Sequence, residues 1–107
     1  MVEILEEIGL PFAYDHFAKG ESPEPPFICY RTPGSSNFSA DGGVYLKTDN
    51  IYLELYTDRK DVDTEERIEA VLDRHGCFYD KTETYIESER LYEVMYYLGG
   101  INTWEIK

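Results

Sequence analysis

The densest group of side chains that could carry out chemistry is acidic and comprises Asp58, Asp61, Asp63, Glu65 and Glu66. Carboxylates at such close spacing could bind calcium or act together as a general acid and a general base. A calcium loop of the EF-hand type needs acids at alternating positions and a glycine, whereas Arg59 and Lys60 interrupt this run and no glycine follows. We therefore interpret the cluster as the solvated start of a helix, and we expect no metal site and no cofactor.

Other catalytic patterns are absent from the sequence. The glycines do not fall in the spacing of a phosphate-binding loop, and no serine lies in a nucleophile elbow. His16 and His75 cannot build a metal site by themselves, and we expect His75 to interact with a helix dipole. Cys29 and Cys77 have apolar neighbours, which favours two buried free thiols over a disulfide or a nucleophile. We predict that the protein is not an enzyme.

The net charge limits the class of partner. The 22 Asp and Glu residues outnumber the 10 Lys and Arg residues, which leaves a net charge of −12. This charge repels phosphate groups, so we expect no sequence-specific binding of nucleic acid and no binding to an anionic membrane. The start of the sequence is acidic and lacks the basic and apolar regions of a signal peptide, which favours the cytoplasm.

The 10 tyrosines are the unusual feature of the composition. Alternation places Tyr52 and Tyr56 on the polar face of a strand, and Tyr79 and Tyr85 share one side of the next strand pair. Tyrosine is enriched in protein interfaces, although a small sheet can also use it simply as a strand former with half-buried rings. As interface candidates we select Tyr52, Tyr56, Tyr79, Tyr85, Phe38 and Trp104.

Two segments have helical periodicity. Residues 2–8 predict a short helix that ends at Gly9. A longer helix is predicted by a stripe of side chains at helical spacing, namely Ile68, Val71, Leu72 and His75. We expect Asp63 to cap this helix with the help of Glu66, and Gly76 to terminate it.

The remaining segments predict strands. Residues 11–17 could form an edge strand, residues 27–30 a short apolar strand, and residues 42–58 a hairpin that turns at residues 48–50. Within this hairpin, Ile51, Leu53 and Leu55 alternate with polar-face residues. Two further strands are expected near 77–86 and 90–98. Residues 1–107 are thus predicted to be one α+β domain, with a mostly antiparallel sheet, one main helix on one face and a short N-terminal helix. Residues 99–107 can form a flexible tail.

Several runs of residues resemble the small tail proteins of Firmicutes phages and prophages, in the same order over residues 10 to 96. The runs are Leu10-Pro11-Phe12-Ala13-Tyr14, Pro25-Pro26-Phe27-Ile28-Cys29-Tyr30, Ser35-Ser36-Asn37-Phe38-Ser39-Ala40-Asp41-Gly42, Glu54-Leu55-Tyr56-Thr57-Asp58 and Ile86-Glu87-Ser88-Glu89-Arg90-Leu91-Tyr92-Glu93-Val94. The resemblance implies a virion structural protein, of the tail-terminator, tail-completion or head–tail joining kind, that is assembled in the bacterial host cytoplasm. It further implies a homo-oligomeric ring, as in the hexamers of tail terminators, with tail-tube and head-connector proteins as partners.

Two alternatives stay open. The first is an acidic DNA mimic that inhibits a nuclease or another DNA-binding protein, and the second is a small-molecule enzyme or binding domain. For the leading interpretation, we expect the polar segment 31–43 to be a loop that is ordered mainly by a neighbouring subunit or a partner.

Overall fold

The computed structural model describes residues 1–39 and 45–102, with side chains described for residues 1–32 and 50–98. The described residues form two helices, α1 (Val2–Ile8) and α2 (Val62–Arg74). They also form the five strands β1 (Phe12–Tyr14), β2 (Phe27–Ser39), β3 (Tyr45–Thr57), β4 (Asp80–Ile86) and β5 (Leu91–Asn102). The predicted α+β fold, with one main helix and a short N-terminal one, is confirmed.

The strands form one sheet in the order β1-β2-β3-β5-β4. β1 pairs with β2 in parallel, and the other neighbours are antiparallel. β2 and β3 are the two arms of a long hairpin that runs from the pair Phe27 and Tyr56 to the pair Ser39 and Tyr45. The predicted turn at residues 48–50 is therefore wrong, because β3 continues through it.

Residues 31–39 belong to β2 and are not the loop that their composition predicts. The register of the hairpin shifts between Arg31 and Gly34. Pro33 lies inside this shift, where a residue that cannot donate a backbone hydrogen bond is tolerated. The prolyl and glycyl residues therefore mark an irregularity within a strand.

Both helices pack on the same face of the sheet. The buried core cluster contains, from the helices, Ile4, Leu5, Ile8, Ile68, Val71 and Leu72, and from β2, β3 and β5, Ile28, Ile51, Leu53, Leu55, Val94, Tyr96 and Leu98. The predicted alternation of Ile51, Leu53 and Leu55 is confirmed. Within the described part of the chain, no helix is long and apolar enough to cross a membrane.

The start of α2 differs from the prediction by two residues. Asp61 is the capping residue, and its carboxylate accepts hydrogen bonds from the Thr64 backbone N–H at 3.1 Å and from the Thr64 hydroxyl at 2.7 Å. The predicted cap, Asp63, lies in the first helical turn instead. The predicted glycine terminators are confirmed, since Gly9 and Gly76 both have left-handed backbones, with φ of 82° and 70°.

The C-terminal strand is longer than its glycines indicate. β5 continues through residues 99 and 100 to Asn102, which pairs with Thr48. The strand therefore includes the first four residues of the expected tail, and residues 103–107 lie outside the described residues. Cys29 and Cys77 are both free and buried, as predicted.

Candidate functional site

The candidate site is the face of the sheet opposite the two helices, which we call the open face. Its described side chains come from the strand positions that alternate with the core, and they include Phe27, Cys29, Arg31, Tyr52, Glu54, Tyr56, Glu93, Met95 and Tyr97. Neither of the described helices packs on this face. The ring centroids of Phe17 and Phe27 lie 5.3 Å apart, so the loop of residues 15–26 contacts one end of it.

A row of planar groups crosses the centre of the open face. The guanidinium carbon of Arg31 lies 5.2 Å from the centroid of the Tyr52 ring, and the Tyr52 and Tyr97 rings are stacked with centroids 4.9 Å apart. Arg31 Nε also lies 3.3 Å from Glu54 Oε1. Cation–π contacts and ring stacking hold these side chains in one arrangement before any partner binds.

Next to this row, two carboxylates lie on neighbouring strands. Burial raises the pKa of Glu54, an effect that Arg31 opposes and Glu93 reinforces. The Tyr56 hydroxyl donates a hydrogen bond to Glu93 Oε2 at 2.8 Å. Burial, together with this hydrogen bond, raises the pKa of Tyr56 and keeps the phenol neutral. Each carboxylate thus has a partner within the protein.

The thiol on this face is a poor nucleophile. Burial raises the pKa of Cys29 to about 11, and the charge of Glu54 adds to that shift. At neutral pH the thiolate fraction is therefore very small. Among the described residues, no group of three or more His, Cys, Asp or Glu side chains could hold a metal ion. The described residues of the open face thus provide neither a readily ionised thiol nor a cluster of metal ligands.

A pocket of about 440 Å³ lies where the loop of residues 15–26 meets the open face. Its lining includes the stacked rings of Phe27 and Tyr56, whose centroids are 5.2 Å apart, and the ring of Phe17. Asp15 and Glu89 add carboxylates to the same lining. Aromatic faces combined with acids are the surroundings that a lysine or arginine side chain favours.

The tyrosines predicted as interface residues do not share one surface. Tyr52 and Tyr56 both lie half-buried on the open face. Tyr79 packs instead against Tyr96 on the helix side, with ring centroids 5.4 Å apart. Tyr85 pairs with Tyr92 on that same side and is 48% exposed.

Two further candidates, the side chain of Phe38 and the whole of Trp104, lie outside the described residues. Sequence reasoning also missed Tyr97, Arg31 and Phe27. The signal for Tyr97 was present, because the alternation that places Tyr96 in the core also places Tyr97 on the opposite face. The cross-strand partners of Tyr52 can be identified only when the register of the hairpin is known.

In comparisons with known proteins, no family model matches the chain and no curated protein matches it. The resemblance of residues 10–96 to phage tail proteins therefore stays a prediction.

Proposed function

We propose that the protein is a non-catalytic assembly component that binds a protein partner through the open face. The observation that carries this proposal is the row formed by Arg31, Tyr52 and Tyr97, which is stacked and half-buried. Tyrosine and arginine are, together with tryptophan, the side chains that are enriched among the residues contributing most binding energy in protein interfaces. Because these groups are already held in place, binding costs little additional side-chain entropy.

The charge indicates what kind of partner surface fits. With a net charge of −12, the protein attracts basic surfaces at long range, which speeds association and selects the partner. The pocket at the end of the open face combines Phe17, Phe27 and Tyr56 with Asp15 and Glu89. A lysine or arginine side chain of the partner, inserted into this pocket, would anchor the complex.

The biological setting that we propose is the end of a phage or prophage tail. The resemblance over residues 10–96 supports a tail-terminator, tail-completion or head–tail joining role, in a homo-oligomer that contacts tail-tube and head-connector proteins. The acidic composition is consistent with this role, because an acidic subunit beside a DNA channel does not retain the passing phosphates. The protein would then be assembled into virions in the bacterial cytoplasm.

The test is a binding assay against the tail-tube and head-connector proteins encoded in the same genome. The Tyr52→Ala and Tyr97→Ala variants each remove one of the two rings of the row, and we expect each to weaken binding at least tenfold. Tyr14→Ala is the matched control, since Tyr14 is an exposed tyrosine that contacts Tyr30 on the helix side of the sheet, away from both the open face and β4. Circular dichroism and urea unfolding check that all three variants are folded.

The proposal fails if the wild-type protein binds none of these proteins, or if the open-face variants bind as tightly as the control. The net charge also supports the second candidate, an acidic DNA mimic. A mimic would instead bind a basic nuclease tightly at low salt and inhibit it, with an affinity that falls steeply as salt is added. Including such a nuclease in the same assay separates the two functions.

A further inference from the structure

The strand β4 forms one edge of the sheet and pairs only with β5 among the described strands. Its residues from Asp80 to Tyr85 are all exposed. Just before it, the Phe78 side chain is 91% exposed, the highest value among the exposed large hydrophobic side chains of the described residues. An edge strand leaves a row of backbone N–H and C=O groups available to another strand. This edge therefore combines backbone groups that are available to another strand with an apolar side chain that is not packed in the core.

We propose that β4 pairs in antiparallel fashion with β4 of a second copy of this chain, with Thr82 on the twofold axis. In this register each residue lies opposite the residue equally far from Thr82 on the other side. The resulting pairs, each formed twice, are Phe78 with Ile86, Tyr79 with Tyr85, Asp80 with Thr84, and Lys81 with Glu83. Cross-strand apolar, aromatic and opposite-charge pairs of this kind stabilise sheets.

The charges select this register over its neighbours. Directly opposite residues in an antiparallel pair point to the same face of the sheet. The twofold axis can therefore move along β4 only from one residue to the next, and each such step shifts the two strands by two residues. One step in one direction places Glu83 opposite Glu83 of the other copy, and one step in the other direction places Lys81 opposite Lys81 of the other copy. Both steps place like charges in contact, whereas the register centred on Thr82 places Lys81 opposite Glu83.

The groups that already face these two charges do not oppose the contact. Lys81 Nζ lies 2.7 Å from Glu65 Oε1 and 2.7 Å from Glu69 Oε2, both on α2. Glu83 forms an ion pair with Lys60 of its own chain. In the dimer, the acids of α2 and Lys81 of one copy would be followed across the junction by Glu83 and Lys60 of the other copy. Each charged group would then lie next to a group of opposite charge.

A second copy of β4 is a better partner for this edge than the strand at the opposite edge of the sheet. That edge strand, β1, has only three residues, and Asp15 directly after it has a positive φ of 65° that ends the extended backbone. A head-to-tail contact between β4 and β1 would thus use a short part of β4. Self-pairing uses the full strand and covers Phe78. The contact rests on the self-assembly included in the proposed function, but it uses the outer edge of β4 and not the row of Arg31, Tyr52 and Tyr97 on the open face.

Cysteine cross-linking tests the register directly. In Thr82→Cys the two introduced thiols would face each other, with Cα atoms roughly 4.5–5.5 Å apart, a range that a disulfide can bridge. In the matched control Thr84→Cys, the two thiols would be offset by about 13 Å along the strands. Mild oxidation with copper phenanthroline should convert Thr82→Cys to a covalent dimer and leave Thr84→Cys and the wild type, whose two thiols are buried, monomeric on a denaturing gel.

Matched lysine substitutions test the contact without oxidation. Thr82→Lys places two lysines opposite each other on the axis, whereas Thr84→Lys places a lysine opposite Asp80 of the other copy. Sedimentation velocity should show that Thr82→Lys raises the dimer dissociation constant at least tenfold, and that Thr84→Lys leaves it unchanged or lowers it. Phe78→Ser should also weaken the dimer, and unfolding curves show whether each variant is folded.

A wild-type protein that stays monomeric at the highest soluble concentration would overturn the proposal, as would equal cross-linking at positions 82 and 84 or an unaffected Thr82→Lys dimer. These outcomes are separate from those of the open-face assay. A Thr82→Lys monomer that still binds a tail protein would support the β4 contact and leave the open-face proposal intact. A dimer that binds no tail protein would support the β4 contact while the proposed function fails.

Discussion

The Nζ atom of Lys81 lies 2.7 Å from the carboxylate of Glu65, whose side chain is only 4% exposed. Lys81 belongs to the edge strand β4, and Glu65 lies in the first turns of α2. A second lysine, Lys60, reaches the other oxygen of Glu65 at 2.8 Å. The edge of the sheet is therefore held to the main helix by a buried carboxylate between two partly exposed lysines.

Replacing this carboxylate by an amide of the same shape should destabilise the protein. Glu65→Gln removes the charge and the acceptor of one charge-assisted hydrogen bond, while both lysines can still reach water. We expect the free energy of unfolding to fall by about 1–3 kcal/mol. Urea denaturation at pH 7 measures this change. The control is Glu66→Gln at the adjacent exposed position, which should change stability by less than about 0.5 kcal/mol.

The effect of this substitution should depend on pH. Burial by itself would raise the pKa of Glu65, but the hydrogen bonds from Lys60 and Lys81 outweigh it, so that the pKa lies below its usual value of 4.5. A carboxyl group with a lowered folded pKa contributes stability above the unfolded pKa, and this contribution is lost as the pH falls through the folded pKa. The difference in unfolding free energy between the wild type and Glu65→Gln should therefore be full at pH 7 and shrink below pH 4.5.

Denaturation curves at several values between pH 7 and pH 3 measure this difference. The comparison removes the effect of the other acids, because both proteins carry them. A difference that stays constant down to pH 3 would show that the lysines do not hold Glu65 ionised.

Local periodicity was sufficient to predict the elements that build the core. The alternation of Ile51, Leu53 and Leu55 and the helical spacing of Ile68 and Val71 each follow from one element with one buried face. The burial of Glu65 could not be predicted in this way. Its partner Lys81 lies on a strand that reaches α2 only through the tertiary fold, and an acid near a helix start is ordinarily exposed.

The hairpin was misassigned because local turn signals were stronger than the true pairing. Residues 48–50 have the composition of a turn, and Pro33 and Gly34 resemble the end of a strand. In the fold, β3 runs through the first segment, and β2 accommodates the second with a shift of register. The same error concealed the open face, since the partners of Tyr52 on β2 and β5 are known only when the register is known.

The cap of α2 can be tested with two neighbouring aspartates. Asp61 accepts hydrogen bonds from both the backbone N–H and the hydroxyl of Thr64, whereas Asp63 lies within the first turn. We expect Asp61→Ala to lower the free energy of unfolding by about 1 kcal/mol. Asp63→Ala should cost less, about 0.3–0.5 kcal/mol, because it removes only an interaction with the helix dipole. Equal losses in urea denaturation would contradict the assignment of Asp61 as the cap.

The thiol of Cys29 should be nearly inert in the folded protein. Burial raises its pKa to about 11, compared with 9.0 for a free thiol. A shift of this size lowers the thiolate fraction at pH 8 roughly a hundredfold, and steric protection slows the reaction further. In a Cys77→Ser variant, which retains Cys29 alone, labelling with a disulfide reagent at pH 8 should be at least a hundredfold slower in buffer than in 8 M urea. Rapid labelling of the folded variant would show that Cys29 is accessible, and would reopen the open face to thiol chemistry.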